Sequence, residues 1–146
     1  MHFPKSNTLR AALVAAALLV APAINAQDHA AAPLPAEKTQ GNVTYLSGGI
    51  GHDEALAFRQ LEPNYPLGLE FITIGAAGAE FLANVNVTIT DRQGNVVLQT
   101  VSPGPLLFAR LPDGSYKVTA TAETGARKER NVVIAGRKHE HVVFQW

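Results

Sequence analysis

From Leu67 onward, apolar residues recur at every second position, and this spacing constrains the fold more than any other feature of the sequence. Leu67, Leu69 and Phe71 follow the pattern, and so does the segment 85–90 (VNVTIT). Side chains with a period of two line one face of a pleated strand. Short strands of this kind, separated by Gly, Pro, Asn and Asp turns, are typical of an antiparallel sandwich. We therefore predict a mainly β fold, an antiparallel β-sandwich of about seven strands.

A different pattern precedes these strands and indicates one short helix over about residues 52–62. Asp53 and Glu54 suit the positive amino-terminal end of a helix, and Pro63 marks where it stops. Its apolar side comprises Ala55, Leu56, Phe58 and Leu61. With a strand on each side, at Asn42 to Ser47 and from Leu67, the segment predicts a strand–helix–strand unit packed on the sandwich.

The amino terminus has the order of a secretory signal peptide. Lys5 and Arg10 precede an apolar run over residues 11–21, and the small residue Ala26 follows a polar break. The run is about a dozen residues long, whereas a membrane-spanning helix needs roughly 20. We predict that residues 1–26 are a signal peptide cleaved near Ala26 and that the protein is periplasmic or secreted, not an integral membrane protein.

The remaining chain reads as a flexible leader over residues 27–41, rich in Ala and Pro, followed by a single domain over 42–146. There is no cysteine, so no disulfide can stabilise the core. Without Lys5 and Arg10 the chain has 10 basic and 12 acidic residues, and the basic residues form no cluster. This near-neutral balance argues against nucleic acid as a partner.

The most specific motif is the segment 111–120 (LPDGSYKVTA). Pro112 and Gly114 shape a tight turn, and Tyr116 enters the next strand with a hydroxyl that reaches back to the turn backbone, as in a tyrosine corner. Together with residues 85–97, this motif resembles the carboxypeptidase regulatory-like domains, a transthyretin-like (prealbumin-like) sandwich family, over roughly residues 79–146. The resemblance implies a non-catalytic folding, spacing or binding module of the bacterial envelope.

Two histidines near the carboxyl terminus are candidate metal ligands. His139 and His141 form a His-x-His pair whose side chains share one face of a strand, which suits zinc or copper if a third ligand approaches. His52 or His29 is a candidate for that third ligand. The alternative is a solvated pair at the start of a strand, and from the sequence we assign no cofactor.

A glycine-rich turn precedes the predicted helix and is a second candidate site. Gly49, Gly51 and His52 lie where backbone N–H groups and the helix dipole can hold an anion. A dinucleotide fingerprint starting at Gly49 needs glycine at position 54, where Glu54 stands and would repel a phosphate. The simpler interpretation is a glycine-rich turn that caps the helix.

Nothing in the sequence assembles a catalytic set. Ser47, His52 and Asp53 include the residue types of a triad, but there is no Gly-x-Ser-x-Gly elbow, and neighbouring residues do not adopt triad geometry. We predict a non-catalytic module that acts by binding or structural association with an envelope protein or glycan. Metal binding through His139 and His141 is the first alternative, and carbohydrate binding is the second.

Overall fold

The computed structural model describes residues 33–146, and the predicted signal peptide over 1–26 lies outside them, as does His29. Ten strands and one α-helix are present in this part of the chain. In chain order they are β1 Lys38–Gln40, β2 Val43–Gly48, α1 His52–Leu61, β3 Leu67–Gly75, β4 Gly78–Phe81, β5 Val85–Thr90, β6 Val96–Ser102, β7 Leu106–Arg110, β8 Gly114–Thr121, β9 Arg127–Ile134 and β10 Glu140–Gln145. A short 3-10 turn, Glu62–Asn64, follows α1.

The strands form two sheets, which confirms the mainly β sandwich. The larger sheet has the order β1-β2-β7-β3-β10, with β4 also paired to β3, and the smaller has the order β6-β5-β8-β9. The two strands that flank α1 are members of the larger sheet, one on each side of β7. The strands beyond the expected seven include β1 and β4, which are short and fully exposed and so lack the alternation that marks the others.

One strand pair within residues 33–146 is parallel: β10 runs alongside β3 in the same direction. The remaining pairs described are antiparallel. A parallel neighbour requires a long crossover connection. Here the chain from β4 to β9 provides it, because it passes through the four strands of the smaller sheet, and through β7 of the larger one, before it returns as β10.

Alternate residues of both sheets fill the space between them, as the period of two predicts. Leu67, Leu69 and Phe71 of β3 pack in one cluster with Val87 and Ile89 of β5, and all five are fully buried. Helix α1 covers the outer face of the larger sheet through Phe58, which packs with Leu46, Tyr65, Leu106 and Phe108. The molecule therefore has three layers, a helix and two sheets.

The predicted leader over 27–41 is wrong at its carboxyl end. Lys38–Gln40 form β1, which pairs antiparallel with β2, so the domain begins before residue 42. The Glu37 carboxylate accepts hydrogen bonds from the Tyr65 hydroxyl and, at 2.6 Å, from Arg110. Backbone pairing, this carboxylate and a hydrogen bond of 2.6 Å from the Gln99 N–H to Gln40 Oε1 hold the segment. Because β1 buries no side chain, apolar alternation gives no sign of it.

The turn before β8 has the geometry expected of a tyrosine corner. Tyr116 is buried, and its hydroxyl donates a hydrogen bond of 2.7 Å to the carbonyl oxygen of Pro112. Within residues 33–146, the structure contains no helix long and apolar enough to cross a membrane.

Candidate metal centre

The parallel pair of β3 and β10 brings the two histidines to the end of the helix. The strands are in register with His141 opposite Gly68, so both begin at the same edge of the sheet. Glu62 follows α1 directly, and the chain needs only the short turn around Pro63 to enter β3. The carboxylate at the helix end therefore meets the first residues of β10.

Three side chains converge there, with ligand atoms that all lie within 4.8 Å of one another: Glu62, His139 and His141. His139 Nε2 lies 3.0 Å from Glu62 Oε1, and His141 Nδ1 contacts the same oxygen. The side chains are 14%, 27% and 35% exposed, in the order Glu62, His139, His141. Each of the three side chains is thus partly buried against the protein and partly open to solvent. No other group of three potential ligands comes together in residues 33–146.

The far side of each imidazole ring is also occupied by an acceptor. His139 Nδ1 lies 2.5 Å from the carbonyl oxygen of Tyr65, which can only accept, so this nitrogen carries a hydrogen. His141 Nε2 lies 3.3 Å from Glu70 Oε2. Glu70 is in turn held by Arg59 of α1 at 2.9 Å. These outer contacts orient both rings toward Glu62, which is how histidine ligands are supported in metal sites.

Both nitrogens of each ring thus face oxygen acceptors, whereas a neutral imidazole has only one N–H to donate. Each neutral ring therefore leaves one nitrogen lone pair directed at an acceptor. A second proton on the ring removes this mismatch, and so does a cation placed between the rings and Glu62. In the second case His139 Nε2, His141 Nδ1 and Glu62 Oε1 are its ligands, and the outer N–H groups keep their partners.

The charge state of Glu62 suits ligation. Burial acts to raise the pKa of this carboxyl, but the hydrogen bonds and charges of His141 and His139 outweigh it, and the pKa is lowered. The ionised carboxylate is the form that binds a metal. Zinc accepts imidazole nitrogen and carboxylate oxygen at about 2.0–2.2 Å, and two histidines with one glutamate are a known ligand set for it.

A groove of about 630 Å³ lies beside these ligands, lined by Arg59, Glu62, Pro63, Arg137, His139 and His141. One side of a bound ion would face it. The arrangement therefore offers an ion three candidate protein ligands and one side that is open to solvent.

His52 is not part of this cluster. It is exposed and opens α1, whereas Glu62 follows the other end, so the two are roughly 15 Å apart along the helix axis. Sequence analysis did not identify Glu62 as a ligand. The only local indication was its position directly before Pro63, where the α-helix ends.

The glycine-rich turn already holds a carboxylate. The Gly49 and Ile50 N–H groups donate to Glu54 Oε1 at 2.8 and 3.4 Å. Gly49 and Gly51 have φ of 87° and 84°, which glycine adopts without strain. An external anion at Gly49, Gly51 and His52 would have to displace Glu54, and this site stays a prediction.

No protein-family model and no curated protein matches this chain. The resemblance to carboxypeptidase regulatory-like domains therefore stays a hypothesis that rests on the motif around Tyr116.

Proposed function

We propose that this protein is an exported, non-catalytic β-sandwich module that binds one transition-metal ion, zinc or copper, through Glu62, His139 and His141. The observation that carries the proposal is the convergence of two imidazole rings on one carboxylate, each ring backed by an acceptor. Export is inferred from the signal pattern of residues 1–26. Association with an envelope protein remains compatible with this role, since the metal site occupies only one face of the larger sheet.

Glycan binding receives less support from the aromatic residues. Seven of the nine in the described chain are buried: Tyr45, Phe58, Tyr65, Phe71, Phe108, Tyr116 and Phe144. Trp146 stacks on Phe144 and donates its indole N–H to Ala126, which leaves Phe81 as the one well-exposed ring among residues 33–146. A platform for sugar rings needs more than this.

Isothermal titration with zinc and with copper tests the proposal. We expect one ion per chain for the wild type and loss of binding in the His139→Ala/His141→Ala double variant. Glu62→Gln keeps the size of the side chain but removes its charge, and should weaken binding at least about tenfold. His52→Ala is the matched control and should bind as the wild type does.

Circular dichroism on each variant establishes that it is folded before titration. Absence of binding by the wild type, or unchanged binding by the folded double variant, would refute the proposal.

A further inference from the structure

Arg137 lies on the rim of the groove beside the metal ligands, in the loop between β9 and β10. It is exposed, and it forms no ion pair with any residue in the range 33–146. The other arginine of the groove, Arg59, is bound to Glu70. Among residues 33–146, Arg137 is therefore a cation at the open side of the site without an acidic partner.

A bound metal would change the net charge of this groove from about zero to positive. Without a metal, the carboxylates of Glu62 and Glu70 offset the guanidinium groups of Arg59 and Arg137. Lys138 and Glu140, which are nearby, pair with each other at 2.8 Å. A divalent ion leaves the groove with a net charge of about +2, and at short range such a charge attracts anions strongly.

Coordination chemistry indicates where an anion would bind, namely at the open coordination position of the metal. Three protein ligands leave the fourth position of a tetrahedral zinc site open to solvent or to an added ligand. Carboxylate and phosphate groups carry a second oxygen that a planar guanidinium can bind. We infer that the metal-loaded protein binds a small oxyanion of this kind, with one oxygen on the metal and another on Arg137.

This inference rests on the proposed metal site, and cobalt substitution separates the two. Co²⁺ occupies zinc sites, and its visible absorption reports the ligands around it. We expect cobalt to bind first, and acetate or methylphosphonate then to change the absorption spectrum in a saturable way. By calorimetry, the metal-free protein should bind neither anion.

Arg137→Gln tests the second contact. It should weaken anion binding by about threefold to fivefold, the range of an exposed ion pair, and leave cobalt affinity unchanged. Arg92→Gln, an exposed arginine in the turn between β5 and β6, is the matched control and should alter neither.

Two results would overturn the inference alone: cobalt binds but neither anion changes its spectrum, or the metal-free protein binds the anions equally well. If Arg137→Gln and the wild type bind the anion with equal affinity, Arg137 does not contact the anion, and this result also contradicts the inference. If the wild type binds neither cobalt nor zinc nor copper, the proposed function is overturned instead, and the inference with it.

Discussion

At the scale of single residues, Gly68 makes room for the side chains of the proposed metal site. It lies on β3 opposite His141, and a Cβ atom built on it would stand 2.6 Å from Glu62 Oε1 and 3.2 Å from His139 Cε1. Any larger residue would push the carboxylate away from the rings. Because the clashing atoms belong to the end of a flexible side chain, the strand itself can accept the change.

We therefore expect Gly68→Ala to fold normally but to bind zinc about tenfold or more weakly, as when a supporting group of a metal site is lost. Titration calorimetry measures the affinity, and urea unfolding checks the fold. Gly75→Ala is the control, since a Cβ on Gly75 would approach Glu80 on the same sheet, away from the site. Equal zinc affinity for wild type and Gly68→Ala would show that Glu62 is not held as described.

Tyr116 contributes one partly buried hydrogen bond at the start of β8 in the smaller sheet. Tyr116→Phe removes the hydroxyl that donates to Pro112 and should lower the free energy of unfolding by about 1 kcal/mol at neutral pH. Urea denaturation measures this change. A variant as stable as the wild type would show that the corner is not a source of stability.

Tyr116 also makes the free energy of unfolding depend on pH. Burial raises the pKa of the Tyr116 hydroxyl, and the charges of Asp91 and Asp113 raise it further. Folding thus favours the neutral phenol. Its contribution is complete below the ordinary tyrosine pKa of about 10 and is lost as the pH rises through the higher folded value. The free energy of unfolding of the wild type should therefore fall above pH 10, and that of Tyr116→Phe should fall less steeply. Urea unfolding at pH 9 and at pH 11 measures both changes.

At the scale of elements, the pairing of β3 with β10 decides which residues meet. Alternation predicts both strands, and the His-x-His spacing predicts two rings on one face. A period of two is the same for parallel and antiparallel neighbours, however, so the sequence does not indicate that β10 starts beside the end of α1. That is why the two histidines were candidate ligands from the sequence and Glu62 was not.

Strand β7 illustrates a second limit. Its run of apolar residues, Leu106 to Ala109, predicts a strand but shows no alternation. Leu107 and Ala109 face the other sheet, whereas Leu106 and Phe108 face the helix, so both sides are buried. The helix layer accounts for this pattern. That α1 covers β7 depends on the strand order of the whole sheet, which the local sequence pattern does not indicate.

Strand β1 provides a test of where the domain begins. A chain starting at Asn42 loses the pairing of β1 with β2 and the contacts of Glu37 with Tyr65 and Arg110. We expect its free energy of unfolding to be lower by about 1 to 3 kcal/mol than that of a chain starting at residue 33. If urea denaturation shows that the two chains are equally stable, the account of β1 is contradicted and the prediction of a flexible leader over residues 27–41 stands.

At the scale of the whole molecule, a metal would connect distant parts of the chain. Glu62 and His141 are 79 residues apart in sequence, and an ion between them links the helix end to the carboxyl-terminal strand. Free zinc at about 100 times its dissociation constant should add about 2.7 kcal/mol of stability if it binds only the folded state. For a domain of this size the midpoint of thermal unfolding should rise by roughly 10 °C, and not at all in the His139→Ala/His141→Ala variant.

The most direct test of the central claim is to locate the metal. Crystals grown with one equivalent of zinc, measured on both sides of the zinc absorption edge, should show one strong anomalous peak. We predict that it lies between Glu62 Oε1, His139 Nε2 and His141 Nδ1, at about 2.0–2.2 Å from each. No peak at this position, or a single peak at other residues such as His52, would contradict the account.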